Sequence, residues 1–216
     1  MMKLYYCDLL SAHKACAVAG YLKAPVEFVY LDVTKAEHRT PQMLALNPNA
    51  KVPTLTDGGR VVIESDAVIC YLSDRMGAGL WPQDRDGQLE IVHWFSWNAM
   101  HFGRAGGALY FENIIKARFR IGPVDPAAVE NALGEFRRFA AVLDAHLAER
   151  KWVLGDALSV ADFSVAGALP YAKAGLMPLD EFAQVKRWHG QLCEFEAWRR
   201  PFPVMSKATE AALSAP

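Results

Sequence analysis

The chain has 216 residues, 52% of them hydrophobic, which is enough for one large packed domain or two small ones. A formal net charge of -1 gives no basic footprint for nucleic acid or an anionic membrane, and no apolar run approaches the roughly 20 residues that span a bilayer. Small neutral or locally anionic ligands fit this balance better, and the opening Met1-Met2-Lys3-Leu4, which has no signal-peptide core, leads us to expect a cytoplasmic protein.

The first element is a short strand over Lys3 to Tyr6, then a loop over Cys7 to Leu10, with Ser11 standing where a helix N-cap would stand. Ala12 to Leu22 is helical, with Ala15, Val18, Ala19 and Leu22 on one face. Val26 to Leu31, rich in β-branched and aromatic residues, reads as a second strand, so the strand-helix-strand order implies a crossover and a parallel pair. Thr40-Pro41 opens a short helix over Gln42 to Leu46. Pro48 and Pro53 then forbid helix, because each fixes φ and biases its predecessor toward extended backbone. A cis bond at Pro53 would turn the Val52 backbone outward and offer its N–H and C=O to a peptide-like ligand.

Asp57-Gly58-Gly59 is a hairpin turn signal, which pairs Thr54 to Thr56 with Val61 to Ile63 antiparallel. Glu64-Ser65 starts a helix that carries Ala67, Val68, Tyr71 and Leu72, and its first N–H groups make a seat for a carboxylate. The order β-α-β-α-β-β-α over residues 1–76 matches a thioredoxin-like layer.

Residues 77–87 crowd glycine, proline and aspartate without any period and read as a linker. Beyond them the strand signal vanishes, and residues 88–216 read as an all-helical domain. A helix is expected from Gln88 to about Arg118, and another carries the stripe Val129, Leu133, Phe136, Ala140, Leu143 and Leu147. Ser159-Val160-Ala161-Asp162 forms a capping box, a structural element, and Asp180 to Phe195 reads as a closing helix. Cys7, Cys16, Cys70 and Cys193 contain no C-x-x-C pair and read as reduced thiols, and the histidines show no ligand spacing, so no metal is expected.

Asn47-Pro48-x-x-Lys51-Val52-Pro53-x-Leu55, followed by Glu64-Ser65-x-Ala67, resembles the glutathione site of the cytosolic glutathione transferases. That resemblance implies that Val52 and Pro53 hold the cysteinyl backbone of glutathione, while Glu64 and Ser65 hold its γ-glutamyl carboxylate. Glu37-His38 resembles the segment before the second helix of the family, which implies that His38, with Lys51, meets the glycyl carboxylate. Ser159 to Phe163 resembles the buried capping box of the sixth helix of these proteins.

Tyr6-Cys7-Asp8-Leu9-Leu10-Ser11 resembles the start of the theta-type enzymes, which implies a catalytic role for Ser11. A free thiol has a pKa of about 8.5. Lowering it by two units takes about 2.7 kcal/mol, which one hydroxyl donor at a helix N-terminus can supply. Cys7 is a rival nucleophile that would favour disulfide exchange, and Tyr5 or Tyr6 is a rival donor. The chain departs from the theta-type run at Ala12-His13-Lys14-Ala15, where the family usually has Gln-Pro-Cys-Arg.

The long helix after the linker, with Trp97, His101 and Phe102, is expected to face an apolar electrophile, and Gly103, Gly106 and Gly107 to mark a bend or a close approach. The resemblance further implies a homodimer with glutathione as co-substrate. Two alternatives stand beside conjugation: a glutathione-dependent disulfide reductase using Cys7, and a non-catalytic binder of hydrophobic ligands.

Overall fold

The computed structural model describes residues 1–77 and 79–214. Among the described residues four strands form one sheet in the order Val26–Tyr30, Met2–Tyr6, Thr54–Asp57, Arg60–Ile63. Strand β1 (Met2–Tyr6) runs parallel to β2 (Val26–Tyr30), pairing Met2 with Val26 and Tyr6 with Tyr30. On its other side β1 is antiparallel to β3 (Thr54–Asp57), which pairs with β4 (Arg60–Ile63) in the register Thr54 to Ile63. The parallel pair and the hairpin both follow the sequence reading.

Helix α1 (Leu10–Tyr21) bridges β1 and β2, α2 (Pro41–Leu46) precedes the proline loop, and α3 (Ser65–Met76) follows β4. The surface of α1 explains its position. Ala12, Ala15, Cys16, Ala17, Val18 and Ala19 are all buried, so the helix is apolar on nearly every side and packs on α3 and on helices of the second half. Small side chains let those neighbours come close: a Cβ on Gly20 would lie 3.2 Å from the Ala197 Cβ. One core therefore runs from Leu4, Leu55 and Leu72 in the sheet layer to Phe136, Trp188 and Trp198 among the helices.

The segment between the two halves is pinned to both. Leu80 is buried, its carbonyl accepts from the Val160 N–H at 2.9 Å, and the Trp81 N–H donates to Ser73 Oγ at 2.8 Å. Ala78 lies outside the described residues.

The long helix expected after the linker is broken. Helix α4 (Arg85–Met100) ends where His101 adopts φ -128° and ψ -93°, and α5 (Phe102–Tyr110) continues through a π-turn at Phe111–Ile115 into α6 (Lys116–Phe119). Gly103 makes room for the break, and Gly106 for a close approach of α5 to the segment at Ala168. A Cβ on Gly103 would sit 2.7 Å from Asn98 Oδ1, and one on Gly106 would sit 2.7 Å from the Ala168 Cβ.

Helix α7 (Pro126–Leu147) buries Phe136, Ala140, Leu143 and Leu147, and Val129 and Leu133 pack against the same core. Its start is capped by Asp125, which accepts from the Ala127 and Ala128 N–H groups. Helix α8 (Val160–Val165) carries the capping box in full. The Asp162 carboxylate accepts from the N–H groups of Ser159 and Val153 and from Trp188 Nε1, so it joins three segments. Burial nevertheless pushes its pKa up.

The closing helix is shorter than the sequence pattern implies. A 3₁₀ turn at Leu179–Glu181 precedes α9 (Ala183–Leu192), whose first N–H groups have no cap of their own. Asp144 of α7 supplies it, accepting from the N–H of Gln184 at 2.7 Å and of Val185 at 2.9 Å. After α10 (Glu196–Arg199) the tail turns back over the end of β1, and α11 (Lys207–Leu213) is the last helix among the described residues. Phe202 stacks on Tyr6, and the Val204 N–H donates to the Tyr6 hydroxyl at 3.0 Å.

Candidate active site

The loop before β3 is built to hold its backbone still. Asn47 is buried; its Nδ2 donates to the Lys51 carbonyl at 2.9 Å and to Thr54 Oγ1 at 3.2 Å, and its Oδ1 accepts from the Asn49 N–H at 3.1 Å. The Val52–Pro53 peptide is cis. Val52 is buried in a small second core with Cys7, Leu31 and Met43.

Ser11 reaches this loop. Its Oγ donates to the Val52 carbonyl at 3.2 Å, while the residue itself stays exposed. The cap expected at Ser11 falls instead on Leu9, which has no side-chain oxygen, so Ser11 is the second residue of α1 and its hydroxyl is not used in capping. Similarly, Glu64 holds the cap position of α3 and Ser65 is the first helical residue. Glu64 lies at φ 68°, ψ 127°, and no side chain caps the helix. The first helical bond is from the Val68 N–H to the Glu64 carbonyl, which leaves the N–H groups of Ser65, Asp66 and Ala67 outside the helix ladder. Lys14 of α1 pairs with Asp66, setting the N-terminal turns of α1 and α3 side by side.

His38 and Lys51 come close enough to interact. Burial lowers the His38 pKa, and the Arg39 and Lys51 charges lower it further, so the ring is neutral at pH 7. Its Nδ1 is buried and has no hydrogen-bond partner among the described residues.

Of the rival groups, Cys7 is suppressed and Tyr6 occupied, while Tyr5 packs partly buried against the small second core. The Cys7 thiol is 1% exposed and pushed up to about 12, by burial first and then by the Asp8 charge, whereas an attacking thiol needs its pKa lowered. The Tyr6 hydroxyl is engaged by the Val204 backbone. The departure from the theta-type run also has a structural use. His13 is fully buried, its Nε2 lies 2.9 Å from the Trp198 carbonyl and its Nδ1 3.3 Å from the Tyr171 hydroxyl, an arrangement in which the ring donates to the carbonyl and accepts from the phenol.

Trp97, His101 and Phe102 face α7. Phe102 is 1% exposed against Phe136, and His101 stacks on Phe139 with ring centroids 4.5 Å apart. One second-half residue that approaches the Ser11 loop is Tyr110, whose hydroxyl accepts from the Leu10 N–H at 3.4 Å.

Sequence reasoning also missed what fixes that loop from below. Asp8 is completely buried; its carboxylate accepts from Arg118 Nη2 at 2.9 Å, the Ser206 N–H at 2.7 Å and the Tyr30 hydroxyl at 3.2 Å. Burial alone would raise its pKa, but the hydrogen bonds from Ser206, Arg118 and Thr209 outweigh it and hold the group at about 2. Thr209 also donates to the Asp8 carbonyl at 2.9 Å. These partners lie far away in the chain, so no local spacing announces them.

Comparison with known proteins agrees with this architecture. Residues 2–74 match the family described as glutathione S-transferase, N-terminal domain, and residues 126–203 match glutathione S-transferase, C-terminal domain. A probable glutathione S-transferase GSTF2 of Oryza sativa subsp. japonica is 31% identical over 87% of this chain and 89% of its own length. Protein URE2 of Debaryomyces hansenii is 33% identical over 78% of this chain, which spans only 54% of that longer protein. The solved structure of a glutathione S-transferase-I bound with lactoylglutathione superposes with a TM-score of 0.82 at 23% identity, covering 98% of each chain. These relatives give no support to the particular closeness to theta-type enzymes that the opening run suggested. On the two family matches and the near full-length likeness to the rice protein, the chain belongs to the glutathione S-transferase family.

Proposed function

We propose that Ser11 holds the glutathione thiolate while it attacks an electrophilic carbon of an apolar small molecule, a detoxifying conjugation. The observation that carries this reading is the 3.2 Å contact between Ser11 Oγ and the Val52 carbonyl, which joins the hydroxyl to the backbone cradle. When the cysteinyl unit of glutathione pairs with the Val52 backbone it competes for that carbonyl, and the released hydroxyl is beside the sulfur it must stabilise. The N-terminal turn of α3, at Glu64 and Ser65, seats the γ-glutamyl carboxylate through its orphan N–H groups. His38 and Lys51 receive the glycyl carboxylate; its charge would offset the Arg39 and Lys51 charges that, after burial, lower the His38 pKa.

The electrophile lies between the Ser11 loop and the second half, with Tyr110 as its nearest wall. Trp97, His101 and Phe102 pack instead on Phe136 and Phe139 of α7, with Phe102 in the core and not at that wall. The suppressed Cys7 thiol argues for conjugation over disulfide reduction.

We expect the active form to be a homodimer. Leu89, Val92 and Met100 of α4 and Val61 of β4 expose apolar side chains, 41–61% accessible, that a second copy would cover. No helix among the described residues is long and apolar enough to cross a membrane, in keeping with a cytoplasmic location.

The test is retention on a glutathione matrix together with a panel of aryl halides, epoxides and haloalkanes, comparing wild type with Ser11→Ala. Loss of one stabilising donor should lower kcat about 100-fold with retention kept. The thiolate absorbance of bound glutathione should persist below the ordinary thiol pKa in wild type and vanish in Ser11→Ala. Equal turnover in the two proteins would remove Ser11 from the mechanism. Retention without turnover by wild type would leave a binding protein.

A further inference from the structure

Strand β1 and helix α1 are joined by Cys7, Asp8 and Leu9 alone, and Ser11 stands two residues further on. The turn makes few bonds within itself. The Leu9 N–H donates to the Cys7 carbonyl at 2.9 Å and the Ala12 N–H to the Leu9 carbonyl at 3.0 Å, and α1 begins without a side-chain cap. Much of what restrains it comes from the second half. Arg118 Nη1 donates to the Asp8 carbonyl at 3.1 Å and Nη2 to the Asp8 carboxylate at 2.9 Å, so one guanidinium grips the backbone and the side chain of the same residue. The Thr209 hydroxyl, which accepts from Arg118 Nη1 at 2.7 Å, donates to the same carbonyl at 2.9 Å. A clamp on the carboxylate alone would let the Asp8 peptide rotate; two donors on its carbonyl fix that peptide as well.

The helix that carries Arg118 is shaped for this task. Tyr110, at the end of α5, accepts from the Leu10 N–H, and Arg118 lies eight residues later on α6. On a regular α-helix, residues eight apart stand about 80° apart around the axis. The π-turn at Phe111–Ile115 takes up one extra residue and cuts that angle to about 20°, which brings Tyr110 and Arg118 to one side, both against the turn before Ser11. The Arg118 side chain is 12% exposed, Thr209 3% and Asp8 not at all, so these bonds are sheltered from water and hold their geometry firmly.

We propose that Arg118 and Thr209 are positioning residues for Ser11: by fixing the Asp8 backbone they hold the turn that feeds α1, and so set where the Ser11 hydroxyl stands relative to the Val52 carbonyl. This role rests on the reading of Ser11 as the donor to the glutathione thiolate. Through Thr209 the C-terminal segment, 201 positions from Asp8 in the chain, takes part in tuning that thiol.

The test compares Thr209→Val, Thr209→Ser and Arg118→Lys with wild type, each also in a Ser11→Ala background. The readouts are the thiolate absorbance of bound glutathione, turnover of an aryl halide, and hydrogen exchange of the ligand-free chain. Thr209→Val removes one donor from the carbonyl, and Arg118→Lys keeps the charge but cannot grip both groups. Each should lower kcat about tenfold with a smaller change in KM, as expected for a small misplacement caused from outside the reacting centre. The bound thiol should titrate about one unit higher. Thr209→Ser keeps the hydroxyl and should bring both values back. In the Ser11→Ala background the same substitutions should move neither value, because no hydroxyl is left to misplace. A role confined to folding would instead lower urea midpoints in both backgrounds and leave the thiol where it was. Exchange should quicken at the amides of Leu9 to Ala12 in Thr209→Val while α7 exchanges as in wild type. Should Arg118→Lys fail to fold, the two Thr209 variants carry the same comparison. An unmoved thiol and kcat in Thr209→Val, or equal losses with and without Ser11, would overturn the proposal. If Ser11→Ala alone matched wild type in thiol and turnover, the conjugation reading would fail, and the positioning of Ser11 would be decided by exchange at residues 9–12: quickened in support, unchanged against.

Discussion

Ser11 and His13 sit two positions apart on α1 and face opposite fates, one exposed toward a loop and the other sealed in the core. The His13 ring satisfies a carbonyl and a phenol, so His13→Leu leaves both buried groups without a partner and should cost about 2 kcal/mol, read as a lower urea midpoint with an unchanged slope. Asn47 has a comparable position under the cradle. Asn47→Ala should raise KM for glutathione several-fold with a smaller effect on kcat, because the loop proposed to bind the cysteinyl backbone loses three hydrogen bonds. The cradle was legible because its prolines and its turn signals are contiguous. His13 was visible only as a departure from a familiar run; its partners, at positions 171 and 198, come from packing that no spacing encodes.

Helix boundaries show what periodicity can and cannot report. The stripe on α7 was readable because its apolar residues recur every three or four positions against one partner surface. The break at His101 was signalled only indirectly, by Gly103, since apolar spacing continues through it and only close contact with Asn98 reveals the turn. The start of α9 was misplaced for another reason: its cap is Asp144, from a different helix, so the sequence beside it carries no capping residue. Asp144→Ala should accordingly destabilise the protein by about 1 kcal/mol, a loss measurable by chemical denaturation, and hydrogen exchange should rise first at the amides of Gln184 and Val185.

At the scale of the molecule, buried titratable groups set the acid limit. Burial holds His13 at about 3 and His189 at about 4, against an ordinary value of 6.5. Below pH 6.5 the unfolded chain takes up protons that the folded rings refuse, so stability should fall as pH drops from 6.5 toward 4. Asp8, at about 2 instead of 3.8, adds a second loss as pH falls from 3.8 to 2; both steps should appear in denaturation midpoints measured against pH. Asp8→Asn removes the charge opposite Arg118 and should cost about 3 kcal/mol while lowering turnover through the Ser11 loop, with glutathione retention less affected.

The thinness of α1 where it meets α10, at Gly20 against Ala197, bears on how such a chain can be recombined. A chimaera that joins residues 1–76 to the helices of a relative inherits a seam cut for small side chains, and a valine or leucine opposite either position would wedge the halves apart. Inheritance of the front half without its matched back half should thus yield aggregates, whereas exchange of both sides of the seam together should restore a protein that melts in a single step.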